Sequence, residues 1–248
     1  MSENVIQIFR QTARTRADTA ALKSPQGDGW QTMTWRDYER DVMLAARGFM
    51  ALGLERGRAV SIIGFNRAEW LIADLAAIAA GGIPAGIYTT SSSELCAYVA
   101  GHCRAQVVVV ENAEHLAKFQ KVRDQLPDLK AIVMMDGSDP AEDVHTWEEL
   151  LALGDQSDNA EDLEARIAAQ TRDDAATLIY TSGTTGNPKA VQLSHHNLIW
   201  TASTVARKVD ARAGDDQISY LPLSHIAEQM FSIHGPITFG GTIWFAPS

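Results

Sequence analysis

Residues 175–193 read AATLIYTSGTTGNPKAVQL, in which two strand-like runs enclose a polar run. Its first five residues form an apolar run that is typical of a buried strand. Ten positions follow, from Tyr180 to Lys189, which include two glycines, one lysine and four small hydroxyl residues. A second strand-like run, residues 190–193, comes directly after them. This order predicts a loop rich in glycine and hydroxyl groups between two strands.

The composition of this loop favours an anion site, and a polyphosphate site in particular. Glycine lets consecutive backbone N–H groups approach an anion with no side chain in the way. Serine and threonine hydroxyls add donors, and a lysine adds a mobile positive charge. We predict that the phosphates are bound by the following residues: Thr181, Ser182, Gly183, Thr184, Thr185, Gly186 and Lys189. Thr181 is also the candidate metal ligand, because Mg²⁺ prefers oxygen atoms.

Two other interpretations compete with this one. A P-loop nucleotidase needs the pattern G-x-x-x-x-G-K-[ST] followed by a helix. Counted from Gly183, Pro188 stands where the second glycine belongs, and Ala190 stands where the metal-binding hydroxyl belongs. The P-loop interpretation is therefore excluded. A polar hairpin loop without a ligand stays open on the residues alone.

The same run resembles the phosphate-loop signature of the acyl-adenylate-forming enzymes, roughly (S/T)-(S/T)-G-(S/T)-(S/T)-G-x-P-K-G. That family includes acyl-CoA synthetases, luciferases and the adenylation domains of peptide synthetases. The match extends through Lys189 and departs at Ala190, where the family usually has glycine. The resemblance implies that the loop holds the β- and γ-phosphates of ATP together with Mg²⁺.

A second segment, YLPLSHIAEQ at residues 220–229, combines a strand end, a proline and a histidine at the start of a helix. On the residues alone, His225 either points into a cleft at the carboxyl edge of a sheet or packs as a helix cap. The segment resembles the family's L-P-L-x-H motif, and its continuation is similar to that of bubblegum-type long-chain fatty acyl-CoA synthetases. The resemblance implies a catalytic role for His225 in shaping the acyl-adenylate pocket.

Helical spacing places further side chains near this histidine. Glu228 and Gln229 follow it by three and four residues and are expected on one helical face with it. Met230, Phe231 and Ile233 are candidates for an acyl tunnel, although packing in the core is the favoured interpretation for most of them.

Apolar strands alternate with amphipathic helices between residues 59 and 135. This alternation predicts an α/β fold with layered, mostly parallel sheets flanked by helices. A mixed, acidic stretch then suggests a division into a first α/β subdomain, residues 1–160, and the start of a second, residues 161–248, which carries the phosphate loop. The resemblance implies that both belong to the large N-terminal domain of an acyl-CoA synthetase-like fold, with a C-terminal remainder absent from this chain.

The composition limits the classes of partner. The 248 residues carry a formal net charge of −10, which argues against nucleic acid or an anionic membrane as the main partner. Cys96 and Cys103 lie in one predicted helix about 10 Å apart, too far for a disulfide. Free thiols fit a reducing, cytoplasmic compartment. The most apolar stretch, residues 71–88, is interrupted by Asp74 and by a Gly-Gly-x-Pro turn, so a membrane span is not expected.

The resemblance implies a long-chain fatty acid–CoA ligase that uses ATP to form acyl-AMP and then transfers the acyl group to coenzyme A. The implied partners are a fatty acid, ATP, CoA and the C-terminal domain of the same polypeptide, and peripheral contact with a membrane stays open. Two alternatives remain: an adenylate-forming ligase for aryl or amino acids, and a non-catalytic nucleotide-binding module. The family's magnesium-binding glutamate, ribose-binding aspartate and catalytic lysine are not found up to Ser248. We therefore expect residues 1–248 alone to have no measurable ligase activity and to bind ATP weakly at best, and robust pyrophosphate exchange would contradict this.

Overall fold

The computed structural model describes residues 4–139, 141–181 and 187–246. Its helices are α1 (Val5–Thr15), α2 (Trp35–Ala51), α3 (Ala68–Ala79), α4 (Ser93–His102), α5 (Ala113–Gln120), α6 (Trp147–Gln156), α7 (Ala160–Ala169), α8 (His195–Lys208), α9 (Ile226–Gln229) and α10 (Gly235–Phe239). Its strands are β1 (Ala20–Gln26), β2 (Gly29–Thr34), β3 (Ala59–Ile63), β4 (Ile83–Ile87), β5 (Ala105–Val110), β6 (Ala131–Met134), β7 (Val144–Thr146), β8 (Ala175–Thr181), β9 (Lys189–Ser194), β10 (Asp216–Ser219) and β11 (Thr242–Phe245).

The strands form two sheets that are mostly parallel. The larger sheet has seven strands in the order β7-β6-β5-β3-β4-β8-β9, and its only antiparallel pair in the described part of the chain is β8 with β9. The smaller sheet has the order β10-β11-β1-β2, with β1 and β2 antiparallel. The predicted α/β fold with layered parallel sheets and flanking helices is confirmed.

The central strands are buried on both faces, which explains their continuous apolar sequences. Residues 107–110 of β5 are four valines with no exposed surface. Helices cover the two faces of the larger sheet, and the core forms two clusters. One cluster includes side chains of α1, α2 and α3, and the other includes side chains of α4 and α5. Parallel strands need such covering because both of their faces are apolar.

Several helices begin at the polar residues that the sequence offers as caps. Asn4 and Ser194 each accept a hydrogen bond from the backbone of the first turn and complete a reciprocal capping box. Thr34 and Ser92 cap α2 and α4 in the same way, without the reciprocal bond.

Three local features differ from the sequence-based expectation. The sequence pattern of residues 112–125 predicts one helix, whereas the helix in the structure ends at Gln120 and continues only as a short 3₁₀ turn. Strand β7 was not predicted, because three residues are too few for a periodic pattern. The sequence also predicts a regular helix over residues 226–234, whereas the structure widens into a π turn at Met230–His234. Pro236 lacks a backbone N–H and crowds the carbonyl four residues before it, which disfavours a regular α-helix there.

Both sheets take strands from each side of residue 160. The pair β8–β9 extends the sheet that contains β3 to β7, whereas β10 and β11 join the N-terminal pair β1–β2. A boundary at residue 160 therefore does not coincide with a boundary between sheets, and the division into subdomains 1–160 and 161–248 stays a prediction.

No helix among the described residues combines the length and the apolar character needed to cross a membrane.

Candidate functional site

The predicted phosphate loop forms the tip of the β8–β9 hairpin. Thr181 at the end of β8 is the register partner of Lys189 at the start of β9, and both residues are exposed. Because β8 runs parallel to β4, this end of the hairpin lies at the carboxyl edge of the larger sheet. The two predicted flanking strands are thus confirmed. Residues 182–186, which include most of the predicted phosphate donors, lie outside the described residues, so their role stays a prediction.

Helix α4 contacts both ends of this hairpin. The Tyr98 hydroxyl donates a hydrogen bond to the Pro188 carbonyl oxygen at 3.0 Å. The Tyr180 hydroxyl lies 2.9 Å from Nδ1 of His102. Burial is the main cause that raises the pKa of Tyr180, so this hydroxyl stays protonated over the physiological range. No sequence signal marks Tyr98 or His102, because nothing in their spacing distinguishes them from other residues on an amphipathic helix.

The segment around His225 is tied to the same edge of the sheet by Asn66. This residue follows β3, and its amide Nδ2 donates to the Ser219 hydroxyl at 2.8 Å and to the Leu221 carbonyl at 2.7 Å. Asn66 therefore joins strand β10 of the smaller sheet, which ends at Ser219, to the carboxyl edge of the larger sheet. No sequence pattern pointed to Asn66, because its partners are more than 150 positions away.

A close backbone approach brings the segment over β4. A Cβ atom at Gly86 would lie 2.8 Å from the Cα of Ser224, a separation that side chains do not tolerate. Only glycine at this position of β4 allows such contact. Since β4 is the neighbour of β8 in the sheet, His225 and the phosphate hairpin occupy adjacent positions at one carboxyl edge. Ligands of parallel α/β sheets bind at this edge.

His225 caps α9 and is exposed. Its Nδ1 accepts a hydrogen bond from the Ala227 N–H at 3.1 Å. The interpretation of His225 as a helix cap is therefore confirmed, and the expectation that such a cap is packed in the interior is wrong. Because Nδ1 is an acceptor, the neutral imidazole has its hydrogen on Nε2. Nε2 has no hydrogen-bond partner among the described residues and remains a donor for a bound group.

The structure corrects the expectation that Glu228 and Gln229 lie on one face with His225. Glu228 and Gln229 are buried, whereas His225 is exposed. His225 is the N-cap with extended backbone, so its side chain does not follow the helical spacing. Glu228 accepts hydrogen bonds from the Ser219 hydroxyl at 2.8 Å and the Leu221 N–H at 3.2 Å. The Gln229 amide donates to the Leu223 carbonyl at 3.0 Å. Together they hold the turn that presents His225.

The predicted acyl-tunnel residues divide into two groups. Ile233 has no exposed surface and belongs to the core, as the favoured interpretation expected. Met230 and Phe231 line an apolar cavity of about 250 Å³ between α8 and the helical segment that follows His225. Ala202, Val205 and Ala206 of α8 form part of the opposite wall. These side chains can accommodate an apolar ligand, which cannot hydrogen-bond.

A second cavity of about 510 Å³, with both charged and apolar side chains in its wall, lies between the two sheets, beside Asn66. Its charged side chains include Arg67 and Glu69, which form an ion pair at 2.7 Å, and Glu111. Glu111 already accepts a hydrogen bond from the Phe65 N–H at 2.8 Å. Over the described parts of the chain, no cluster of His, Cys, Asp and Glu is arranged to hold a metal ion.

Comparisons with known proteins identify the family of this chain. Residues 9–248 match the family described as AMP-binding enzyme. The long-chain-fatty-acid–CoA ligase ACSBG2 of Xenopus laevis is 46% identical over 246 residues, which cover 97% of this chain and 33% of that protein. The long-chain-fatty-acid–CoA ligase ACSBG1 of Rattus norvegicus is 41% identical over 248 residues, which cover 98% of this chain and 34% of that protein.

A solved structure shows the same fold. The anthranilate CoA ligase AuaEII in complex with anthranoyl-AMP superposes with a TM-score of 0.88 and 25% identity, covering 100% of this chain and 45% of that one. The chain spans about a third of the length of the curated relatives it matches. The resemblance to bubblegum-type long-chain acyl-CoA synthetases is confirmed, and this chain belongs to the AMP-binding enzyme family.

Proposed function

We propose that this chain is the N-terminal portion of an ATP-dependent long-chain fatty acid–CoA ligase. The observation that carries the proposal is the placement of Lys189 and His225 at one carboxyl edge, over the neighbouring strands β8 and β4. The two relatives named long-chain-fatty-acid–CoA ligases support the acyl substrate. The remaining part of the polypeptide would supply the groups that close the site.

The proposed reaction has two steps. The fatty carboxylate attacks the α-phosphate of ATP, which gives acyl-AMP and releases pyrophosphate. The thiol of coenzyme A then attacks the acyl carbon and releases AMP. In the first step negative charge spreads over the phosphates, and the loop donors with Lys189 would stabilise it. His225, through its free Nε2, would hydrogen-bond the acyl-adenylate.

Mg²⁺ is the proposed metal, and the donor chemistry at the hairpin fits it. Thr181 is exposed beside the loop and offers a hydroxyl oxygen of the kind that Mg²⁺ accepts, with phosphate oxygens and water completing the shell. When bound, the ion neutralises phosphate charge and orients the triphosphate. A cytoplasmic setting fits the two cysteines, which are both free thiols.

Lys189→Ala is the direct test of the phosphate site. In the natural polypeptide that contains these residues, we expect kcat/KM for ATP to fall by about 10- to 100-fold, the effect of losing a charged hydrogen bond of about 1.5–3 kcal/mol. Lys121→Ala is the matched control, because its side chain is 68% exposed and forms a surface ion pair with Glu94. Unchanged kinetics with ATP in Lys189→Ala would remove the hairpin from the mechanism.

The acyl substrate is tested separately, with pyrophosphate exchange measured over a panel of acids. Long-chain fatty acids are expected to support exchange, because the cavity lined by Met230 and Phe231 is apolar. Exchange with aromatic or amino acids instead would keep the adenylation chemistry and overturn the acyl assignment. Nucleotide binding without exchange for any acid would favour a non-catalytic module.

A further inference from the structure

A row of three rings connects the two ends of the phosphate hairpin through α4. The Tyr98 hydroxyl donates to the carbonyl of Pro188, the residue directly before Lys189. Tyr98 stacks on His102, with ring centroids 5.6 Å apart and planes at 29°. His102 in turn meets Tyr180 edge-on, with centroids 5.8 Å apart and planes at 81°. Tyr180 directly precedes Thr181, so the row reaches both sides of the loop.

The hydrogen bonds in this row are mutually compatible. Tyr180 lies 2.9 Å from Nδ1 of His102 and donates to the Val99 carbonyl at 3.3 Å. Both bonds are satisfied when His102 carries a hydrogen on Nδ1 and donates it to the Tyr180 oxygen. Because Tyr180 is buried, its hydroxyl needs these partners, which gives the ring a defined position.

The main-chain pairing leaves this end of the hairpin in need of support. Among the described residues, the only registered pair between β4 and β8 is Ala85 with Leu178. Thr181 lies three residues beyond that pair, and β9 is the outermost strand of the sheet. The β8–β9 ladder fixes the width of the hairpin, but it does not fix the position of the hairpin over the parallel strands. Side chains of α4 make that connection.

We propose that Tyr98, His102 and Tyr180 are positioning residues that hold the phosphate hairpin, and with it the Cα of Lys189, against the carboxyl edge of the sheet. This inference rests on the proposed role of the hairpin in binding ATP. Helix α4 thus orients the phosphate site, although the charged residue of that site, Lys189, lies on β9. Loss of the Tyr98 hydroxyl therefore weakens ATP binding without removing any group that touches the nucleotide.

Tyr98→Phe in the natural polypeptide tests this role, since it keeps the ring and removes one hydrogen bond. We expect KM for ATP to rise by about three- to tenfold, with kcat at saturating ATP and KM for the fatty acid unchanged. Tyr98→Leu also removes the stacking on His102 and is expected to raise KM for ATP further. The matched control is Tyr38→Phe, which deletes a buried tyrosine hydroxyl that has no hydrogen-bond partner within residues 4–139, 141–181 and 187–246. This control is expected to leave every kinetic constant unchanged.

The outcomes separate a positioning role from simple structural support. A loss of folded protein lowers the maximal rate per milligram of protein and leaves KM for ATP unchanged. That result in both Tyr98 variants would overturn the proposal. Lys189→Ala, measured in parallel, distinguishes a failure of the positioning role from a failure of the proposed phosphate site. If it impairs ATP use while both Tyr98 variants keep a normal KM for ATP, the positioning role fails and the phosphate site stands. If Lys189→Ala has no effect, the phosphate site fails and the positioning role falls with it.

Discussion

Asp74→Asn is expected to stabilise the folded chain by about 3–5 kcal/mol at about pH 8. Asp74 lies in the middle of α3 with no exposed surface, and neither carboxylate oxygen has a hydrogen-bond partner in the part of the chain that the structure describes. Burial raises the pKa of this carboxyl to about 8. The hydroxyl of Tyr38 is also buried without a hydrogen-bond partner among the described residues, and the pKa of Tyr38 is raised by burial and by Asp74.

The stabilisation depends on pH with a defined sign. Below about pH 4 the carboxyl is protonated in both the folded and the unfolded chain, so its ionisation costs nothing. Between about pH 4 and the folded pKa of about 8, only the unfolded chain ionises, and the folded state loses stability as the pH rises. Asparagine removes this loss, because it has no charge to bury. The gain is thus about twice as large at pH 8 as at pH 6.

Chemical unfolding of the wild type and of Asp74→Asn at about pH 6 and pH 8 measures this difference. Asp173→Asn is the matched control, since Asp173 is exposed on a turn and the same substitution there changes no buried group. An Asp74→Asn variant with the same stability gain at both pH values, or with none, would show that the buried carboxyl is not the source of the effect.

Gly154→Ala is expected to destabilise the chain by about 3 kcal/mol or more, as severe overpacking does. Helices α2 and α6 contact each other backbone to backbone at Gly48 and Gly154. A Cβ atom at Gly154 would lie 2.0 Å from the Leu44 carbonyl oxygen, and one at Gly48 would lie 2.4 Å from the Leu150 carbonyl oxygen. Backbone atoms cannot rotate away, so the helices would have to separate and expose part of the core.

Gly101→Ala is the control for this substitution, because it makes the same change in α4. The nearest atom to a Cβ at Gly101 is Cδ2 of Leu126 at 3.7 Å, an ordinary contact. Alanine is the better helix former by about 1 kcal/mol, so this variant is expected to gain stability. The two midpoints in urea are expected to move in opposite directions. Equal shifts would mean that helical propensity, and not the close approach, governs position 154.

The elements of this fold follow closely from local pattern. Strand β5 has four consecutive valines, and α1 begins at a polar cap with an apolar face behind it. Hydrogen bonding within a helix and burial along a strand involve near neighbours in the chain, so residue spacing is enough to predict them. The glycine- and hydroxyl-rich run between β8 and β9 and the histidine before α9 were recognisable for the same reason: each is a contiguous motif.

The positions of these motifs relative to each other depend on contacts between distant residues. Asn66 reaches Ser219 and Leu221, Gly86 admits the backbone of Ser224, and Tyr98 holds Pro188. None of these contacts leaves a periodic signal, because each joins residues whose neighbours in the sequence are unrelated. The mixing of strands from both sides of residue 160 has the same origin, since β1 pairs with β11 and β4 with β8, which are far apart in the sequence. Local spacing therefore identifies the chemical groups, and long-range packing brings them to one edge of the sheet.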